Sequence, residues 1–225
     1  MRLTANDPVV IATRNAGKAR EFAALFEPLG IAVRSLNDYP QIPDIVEDGE
    51  TFRDNALIKA RTVAERLGVP ALADDSGLCV DKLGGAPGVY SARYAGAGAT
   101  DADNNAKLLG ELGKLAEAGD TPAAAVVGGR EVRLLSKARF VCALALFVPG
   151  KPPLFADGAF DGFIVDTPLG DGGFGYDPLF YAPEYGATLA QLPLEAKNAV
   201  SHRAQALRKL RELIAGAPAT GSETE

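Results

Sequence analysis

The stretch Val9-Val10-Ile11-Ala12-Thr13-Arg14-Asn15-Ala16-Gly17-Lys18-Ala19-Arg20-Glu21-Phe22, with Ile31 to Leu36 beyond it, sets the fold class. Val9 to Ala12 is a short, wholly apolar run and reads as a buried strand. Thr13 to Lys18 turns out of that strand into a helix running to about Pro28, with Ala19, Phe22, Phe26 and Leu29 spaced three or four apart along its apolar face. Ile31 to Leu36 then alternates as a second strand. Strand, helix, strand points to parallel pairing and an α/β architecture.

Downstream of this unit, Asn37 to Gly49 is a long loop with two prolines and a cluster of acids. A second helix begins near Thr51, where Thr51 and Asp54 form a capping-box pair, and ends at Gly68. Its buried stripe is expected to be Phe52, Ala56, Ala60, Val63 and Leu67, with Asn55 and Lys59 one turn apart on a polar stripe beside it. Val69 to Ala73 is a further strand and Leu78 to Val80 continues its apolar character. Leu83 to Tyr94 is glycine-rich and irregular, and Asp101 to Ala118 returns to helix. From Gly119 to Lys137 the pattern fades, which reads as an exposed excursion over about 121–137 and not as a domain boundary. Ala138 to Val148, Pro153 to Asp157 and Phe160 to Asp166 read as strands, Gly158 and Gly162 marking bends or close backbone approach. Asp171 to Asp177 is a second glycine-rich loop. The last helix runs from near Ser201 to about Ala215, buried through Ala204, Leu207, Leu210 and Ile214, and a disordered tail is expected over 215–225.

Composition narrows the function classes. The chain has 225 residues, 47% hydrophobic and 23% charged, ordinary globular values for one substantial α/β domain or two small ones. A formal charge of −6 argues against a general nucleic-acid binder, and an anionic substrate needs local cations and a divalent ion against that overall field. Cys79 and Cys142 lie inside apolar runs and read as buried free thiols. With no signal-peptide pattern and no apolar stretch long enough for a membrane span, the expectation is a soluble, cytoplasmic protein.

Five places carry residue types suited to chemistry. In Ala73-Asp74-Asp75-Ser76-Gly77 two adjacent carboxylates sit where an apolar strand breaks off, and burying them needs a positive partner. Successive strand residues point to opposite faces, so one carboxylate can face a metal ion while the other orients the loop; the alternative is an aspartate-rich turn closed by Ser-Gly. Thr13 to Lys18, where a strand feeds a helix, can favour phosphate through backbone N–H groups and the helix dipole, with Lys18 adding charge and Asn15 an amide donor. It is not a Walker A loop, which needs glycine at position 12 and Ser or Thr at position 19; the alternative is a plain helix start capped by Asn15. Glu47, ahead of the second helix, is either a dipole complement or a second oxygen ligand for an Mg²⁺ ion shared with Asp75. Phe174-Gly175-Tyr176-Asp177 follows two glycines and offers an aromatic for base stacking, or else a core aromatic flanked by turns. His202 and Arg203 open the last helix with Lys197 just upstream; cations there oppose the helix dipole and would be matched by an anionic or carbonyl-rich ligand.

Taken together, these motifs resemble those of the inosine triphosphate pyrophosphatase family, enzymes that hydrolyse non-standard purine nucleoside triphosphates such as ITP, dITP and XTP to the monophosphate and pyrophosphate. The match is carried by Thr13 to Lys18, Thr51-Phe52 with Asn55-Ala56, Ala73 to Leu78, Leu83 to Tyr94, Gly172 to Pro178 and Ser201-His202-Arg203, over residues 8–214. The resemblance implies a single domain over 1–214, an elongated mixed β-sheet flanked by helices with a central active-site cleft, and a homodimer. It implies Asp75 as catalytic carboxylate and metal ligand, Glu47 as second ligand to Mg²⁺, and Ser76 as a substrate contact. The run Thr13, Arg14, Asn15, Ala16, Gly17 and Lys18 matches the phosphate-binding positions, with Arg14 and Ala16 at variable places. Asp74, Lys59 and Asn55 match supporting positions. Phe174, Gly175, Tyr176 and Asp177, with Lys197, His202 and Arg203, match positions that enclose the base. The rival readings are a nucleotide-binding regulator without chemistry and a hydrolase with broad base tolerance.

Overall fold

The computed structural model describes residues 8–115 and 123–215. The described chain divides into two compact units, one built from residues up to 75 with 142–158 and 205 onward, the other from 76–141 and 159–204.

In the first unit β1 (Val9–Ile11) pairs in parallel with β2 (Val33–Ser35), and β1 also pairs in parallel with β3 (Ala71–Val80), so the opening strand-helix-strand folds as expected. The connecting helix α1 (Ala16–Phe26) gives way to a 3-10 turn at Glu27–Leu29, where Pro28 fits a helix start but could not serve a helix interior. Helix α2 (Phe52–Leu67) opens with a complete Thr51/Asp54 capping box and closes at Gly68, whose φ of +69° is the left-handed conformation that favours glycine.

Strand alternation sorts the apolar residues onto two faces. Val9, Ile11, Leu72, Leu144 and Leu146 pack with Phe22 and Phe26 of α1 and with Ala206 and Leu210 of α5 (His202–Ala215). Val10, Ala12, Ala71, Ala73, Ala145 and Phe147 pack with Ala56, Ala60, Val63 and Ala64 of α2. Both faces of the strands are covered, which is why Val9 to Ala12 carries no polar residue at all. The α2 stripe differs from the expectation: Phe52 and Leu67 are only half-buried, while Asn55 is buried. In α5 the buried small residue is Ala206, not Ala204.

The second unit holds a core of Leu78, Val80, Phe140, Phe160, Ile164, Leu179 and Phe180, with Leu108 and Leu112 of α3 (Asp101–Lys114) packed into it. Strands β3, β5 (Arg130–Phe147) and β6 (Leu154–Val165) contribute residues to both units. With β4 (Ala124–Val127), β7 (Phe180–Ala182) and β8 (Ala187–Thr188) they belong to a mixed eight-stranded sheet of order β2-β1-β3-β5-β6-β7-β8, β4 pairing antiparallel with β5.

Several sequence expectations are corrected. The segment read as an excursion is, over its described part, the β4–β5 hairpin, turned by Gly128 and Gly129 at φ +58° and +81°. Its strands face solvent along much of their length, so no apolar alternation marks them. Pro153–Asp157 and Phe160–Asp166 are one strand, β6, since Gly158 lies within it without a break. Gly162 does mark a close approach: a Cβ there would lie 2.4 Å from the Phe180 ring and 2.5 Å from the Tyr181 carbonyl. Strands β7 and β8 and helix α4 (Leu194–Val200) had no sequence reading, being too short to show a period. Residue 118 and the tail from 216 lie outside the described residues. Cys79 is half-buried and Cys142 buried, both as free thiols. Among the described residues no helix is long and apolar enough to cross a membrane.

Candidate active site

Strand β3 does not break at the acidic pair, and there is no aspartate-rich turn at Ala73–Gly77. It runs through Asp74 and Asp75, so alternation assigns each carboxylate a face. Asp74 follows Leu72 toward α1 and meets Lys18, whose ammonium donates to Asp74 Oδ2 at 2.9 Å. Asp75 follows Ala71 and Ala73 toward α2, where Asn55 Nδ2 donates to its Oδ2 at 3.1 Å and Lys59 Nζ lies 3.6 Å from Oδ1. One residue of offset along a strand therefore separates two carboxylates into two different settings.

The Asp75 setting brings a second carboxylate and an ammonium beside it. Lys59 Nζ also donates to Glu47 Oε2 at 2.9 Å, so one ammonium joins the two carboxylates. Asn55, only 1% exposed, accepts from Gly49 N–H at 2.8 Å through Oδ1 while its Nδ2 holds Asp75. It thereby ties the acidic loop to the strand. Gly49 has to be glycine, since a Cβ would stand 2.6 Å from Asp54 Cβ and 2.8 Å from Asn55 Oδ1. Burial pushes the Asp75 carboxyl up to about 6, the Glu47 and Asp74 charges adding to the rise and Lys59 and Asn55 opposing it. Among the described residues no group of three or more His, Cys, Asp and Glu gathers into a metal cage. Glu47 and Asp75 are two carboxylates that could hold an Mg²⁺ ion, which takes one or two protein carboxylates and completes its shell with water and phosphate.

At the start of α1 both readings of Asn15 bear on the outcome. Its Oδ1 accepts from the N–H groups of Gly17 at 2.9 Å and Lys18 at 3.0 Å, and Thr13 Oγ1 accepts from Asn15 N–H at 3.2 Å. These three backbone amides are spent within the loop, so the expectation that they cradle phosphate is corrected. A Cβ on Gly17 would press on Asn15 Oδ1 at 3.1 Å. Those bonds do not engage the Ala16 N–H, the Asn15 side-chain amide or the helix dipole, and Lys18, which has three donors, spends one on Asp74. Arg14, expected among the substrate contacts, instead donates to the carbonyls of Leu36 and Ile42 and pairs with Asp44 at 3.5 Å, strapping the loop that leads to Glu47.

In the second unit Ser76 is half-buried on β3, and Phe174 to Asp177 form a tight turn. Asp177 is buried; its Oδ2 accepts from Phe174 N–H at 2.9 Å and pairs with the Lys197 ammonium. A Cβ on Gly173 would collide with that oxygen at 2.1 Å, which explains the glycine. Tyr176 is buried too, its hydroxyl donating to Ser91 O at 2.8 Å. Burial holds that phenol above its ordinary range, so it serves as a neutral donor. Tyr176 and Asp177, expected among the base contacts, thus act as the footing of the turn. Phe174 is the opposite case: its ring is 65% exposed, with the Lys197 ammonium 4.6 Å from the ring centroid. His202 stacks on Phe140 at 5.2 Å and 15°, and Arg203 is buried at the start of α5. The sequence reading missed Ser91, whose hydroxyl accepts from Leu78 N–H at 2.8 Å, and Asp101 and Asn105, which bind Gly175. The only available signal was a polar pair four residues apart on the helix that begins at Asp101.

A dITP/XTP pyrophosphatase of Geobacillus kaustophilus is 52% identical over 91% of this chain and 92% of its own length, and one of Geobacter sulfurreducens is 51% identical over 91% and 94%. Among solved structures, a HAM1 protein from Coxiella burnetii superposes with a TM-score of 0.81 at 40% identity, covering 93% of this chain and 99% of its own. The Staphylococcus aureus Ham1 protein gives 0.79 at 36%, covering 94% and 100%. The sequence model of the Ham1 family matches residues 9–213, and the chain belongs to the Ham1 family.

Proposed function

We propose that the protein hydrolyses non-standard purine nucleoside triphosphates, dITP, XTP and ITP, at the α–β anhydride to give the monophosphate and pyrophosphate, in an Mg²⁺-dependent reaction. The observation that carries this reading is Asp75: a largely desolvated carboxylate with a raised pKa, oriented by Asn55 and set beside Glu47 and the Lys59 ammonium. A protein that merely binds nucleotides has no use for such a group, whereas a general base or metal ligand does. The names of the relatives, dITP/XTP pyrophosphatase, supply the substrate class.

Glu47 and Asp75 would hold the Mg²⁺, which when bound supplies Lewis-acid stabilisation of charge on the phosphate oxygens. Asp75, held in place by Asn55 on the strand, orients the attacking water and takes its proton. Lys18, kept extended by Asp74, meets the charge that develops on the leaving pyrophosphate. Lys59 offsets the mutual repulsion of the two carboxylates until the cation arrives.

Base choice falls to the second unit. The exposed Phe174 ring offers a stacking platform, and Lys197 and Arg203 are obligate donors that suit the 6-oxo group of hypoxanthine and xanthine but not the 6-amino group of adenine. A buried donor left unpaired costs ~1–3 kcal/mol, so ATP is expected to be at least severalfold poorer than ITP.

The test is incubation with ITP and Mg²⁺ followed by product identification, with ATP in parallel and EDTA as control. IMP and pyrophosphate, lost in EDTA, are expected. Release of orthophosphate and IDP would overturn the bond assignment, activity in EDTA the metal, and equal turnover of ATP the base reading.

A further inference from the structure

Phe174 poses a physical problem that the turn around it does not solve alone. This large aromatic is 65% exposed to water and belongs to none of the core clusters of the described residues, and the residue after it, Gly175, has φ +61° and the freedom to swing. Yet both polar groups of Gly175 are engaged by one helix. Asp101 Oδ2 accepts from Gly175 N–H at 2.6 Å, and Asn105 Nδ2 donates to Gly175 O at 3.0 Å. The two side chains come from positions one helical turn apart on α3, so they project from the same face and grip the residue from its two sides.

The helix is itself anchored for this task. A Thr100/Asp103 capping box sets its first turn, and buried Asn104 ties it to the chain before it, accepting from Ala95 N–H at 2.8 Å and donating to Ala92 O at 3.3 Å. Leu108 and Leu112 seat it in the core of the second unit. Within the turn, Asp177 accepts from Phe174 N–H and holds Lys197, whose ammonium lies 4.6 Å from the ring centroid. The backbone around Phe174 is therefore bracketed by two carboxylates, Asp177 of its own turn at the Phe174 amide and Asp101 of α3 at the next, while the residue stays 65% exposed with the Lys197 ammonium against its ring. A helix-borne clamp of this kind removes the freedom that a loop aromatic would otherwise lose on binding.

We propose that Asp101 and Asn105 are positioning residues that hold the Phe174 ring in its purine-stacking orientation and so set the enzyme's preference for its base. The proposal rests on the reading of Phe174 as a base contact. Because the clamp acts on binding of the base and not on the reacting phosphate, its loss raises KM and leaves kcat nearly unchanged.

The variants are Asp101→Ala, which deletes the acceptor, Asp101→Asn, which keeps one, and Asn105→Asp, which sets an acceptor against the Gly175 carbonyl. Asp101 is exposed, so its replacement leaves the core intact. Phe174→Ala tests the underlying reading in parallel. The expected result is a KM for ITP about tenfold higher in Asp101→Ala and Asn105→Asp, kcat within about twofold, a smaller ITP-over-ATP preference, and recovery in Asp101→Asn to within about threefold of the parent, as loss of a charge-assisted hydrogen bond requires. The chain contains no tryptophan, so Phe174→Trp gives a single tryptophan, excited selectively over the tyrosines, whose anisotropy is expected to fall when Asn105→Asp is added. Unchanged KM and preference in the clamp variants, with Phe174→Ala raising KM, overturns the clamp and leaves the base reading standing. No effect of Phe174→Ala either overturns the base reading and the clamp with it. A fall in kcat at constant KM, or an anisotropy that does not move, also overturns the clamp.

Discussion

Replacing Asp75 by asparagine isolates what it costs the fold to hold that carboxylate ready. In the folded protein its pKa rises from 3.8 to about 6, burial being the largest cause, Glu47 and Asp74 adding to it, and Lys59 and Asn55 offsetting part. That difference corresponds to about 3 kcal/mol of folding free energy. The sign follows from the direction: because the folded value is raised, the contribution is fully present below the unfolded pKa and is lost as pH rises through about 6. The carboxamide of the Asp75→Asn variant does not titrate. In EDTA, the stability of the parent relative to that variant is therefore expected to fall by about 2–3 kcal/mol between about pH 3.5 and about pH 7.5. The assay is urea unfolding of both proteins across that range, with linear extrapolation to water. Mg²⁺ added at the upper pH should stabilise the parent more than the variant, since a cation that binds only the folded carboxylate adds stability by mass action. A difference independent of pH would refute the claim that Asp75 is held desolvated against its charge. Equal stabilisation of both proteins by Mg²⁺ would refute its role as ligand.

Three further perturbations test the supporting structure. Asn55→Ala removes the link between Gly49 and Asp75, and a stability loss of about 2 kcal/mol by denaturant unfolding, with a higher Mg²⁺ concentration for half-maximal activity, is expected. Asp177→Asn leaves the buried Lys197 ammonium without its carboxylate; we expect about 3 kcal/mol of destabilisation and a weakened ITP preference, whereas a neutral effect on both would show the pair to be dispensable. Gly162→Ala drives a methyl into the Phe180 ring and the Tyr181 carbonyl, and thermal unfolding should report a loss of about 1–3 kcal/mol, or roughly 5 °C for a chain of this size, with activity at low temperature retained.

How much of this was legible in the sequence depends on the range of the interaction. Val9 to Ala12 declared itself a buried strand by its lack of any polar residue, and Thr51 to Gly68 a helix by its capping box and terminal glycine, because both signals act within a few residues. Tyr176 shows the opposite. Beside two glycines it looked like part of a ligand-facing loop, yet Ser91, 85 positions earlier, takes its hydroxyl and buries it. Arg14 likewise stood in a phosphate-binding motif but reaches carbonyls 22 and 28 positions away. The β4–β5 hairpin was invisible since its register is set by partner strands and its faces are largely wet.

The acidic pair divides the two kinds of information most clearly. That Asp74 and Asp75 follow an apolar strand, and that adjacent strand residues point to opposite faces, follows from the residue order, because the two-residue period is a local property; that β3 runs on through both instead of breaking off there is decided by the tertiary structure. Which face meets which helix is a matter of packing, and no local signal carries it. Packing α1 on one side delivers Lys18 to Asp74, and packing α2 on the other delivers Asn55 and Lys59 to Asp75, with Glu47 brought in beyond them. A carboxylate's chemistry is set by its burial and by the charges within a few ångströms, and the contacts that assemble this site join residues 12 to 56 positions apart along the chain.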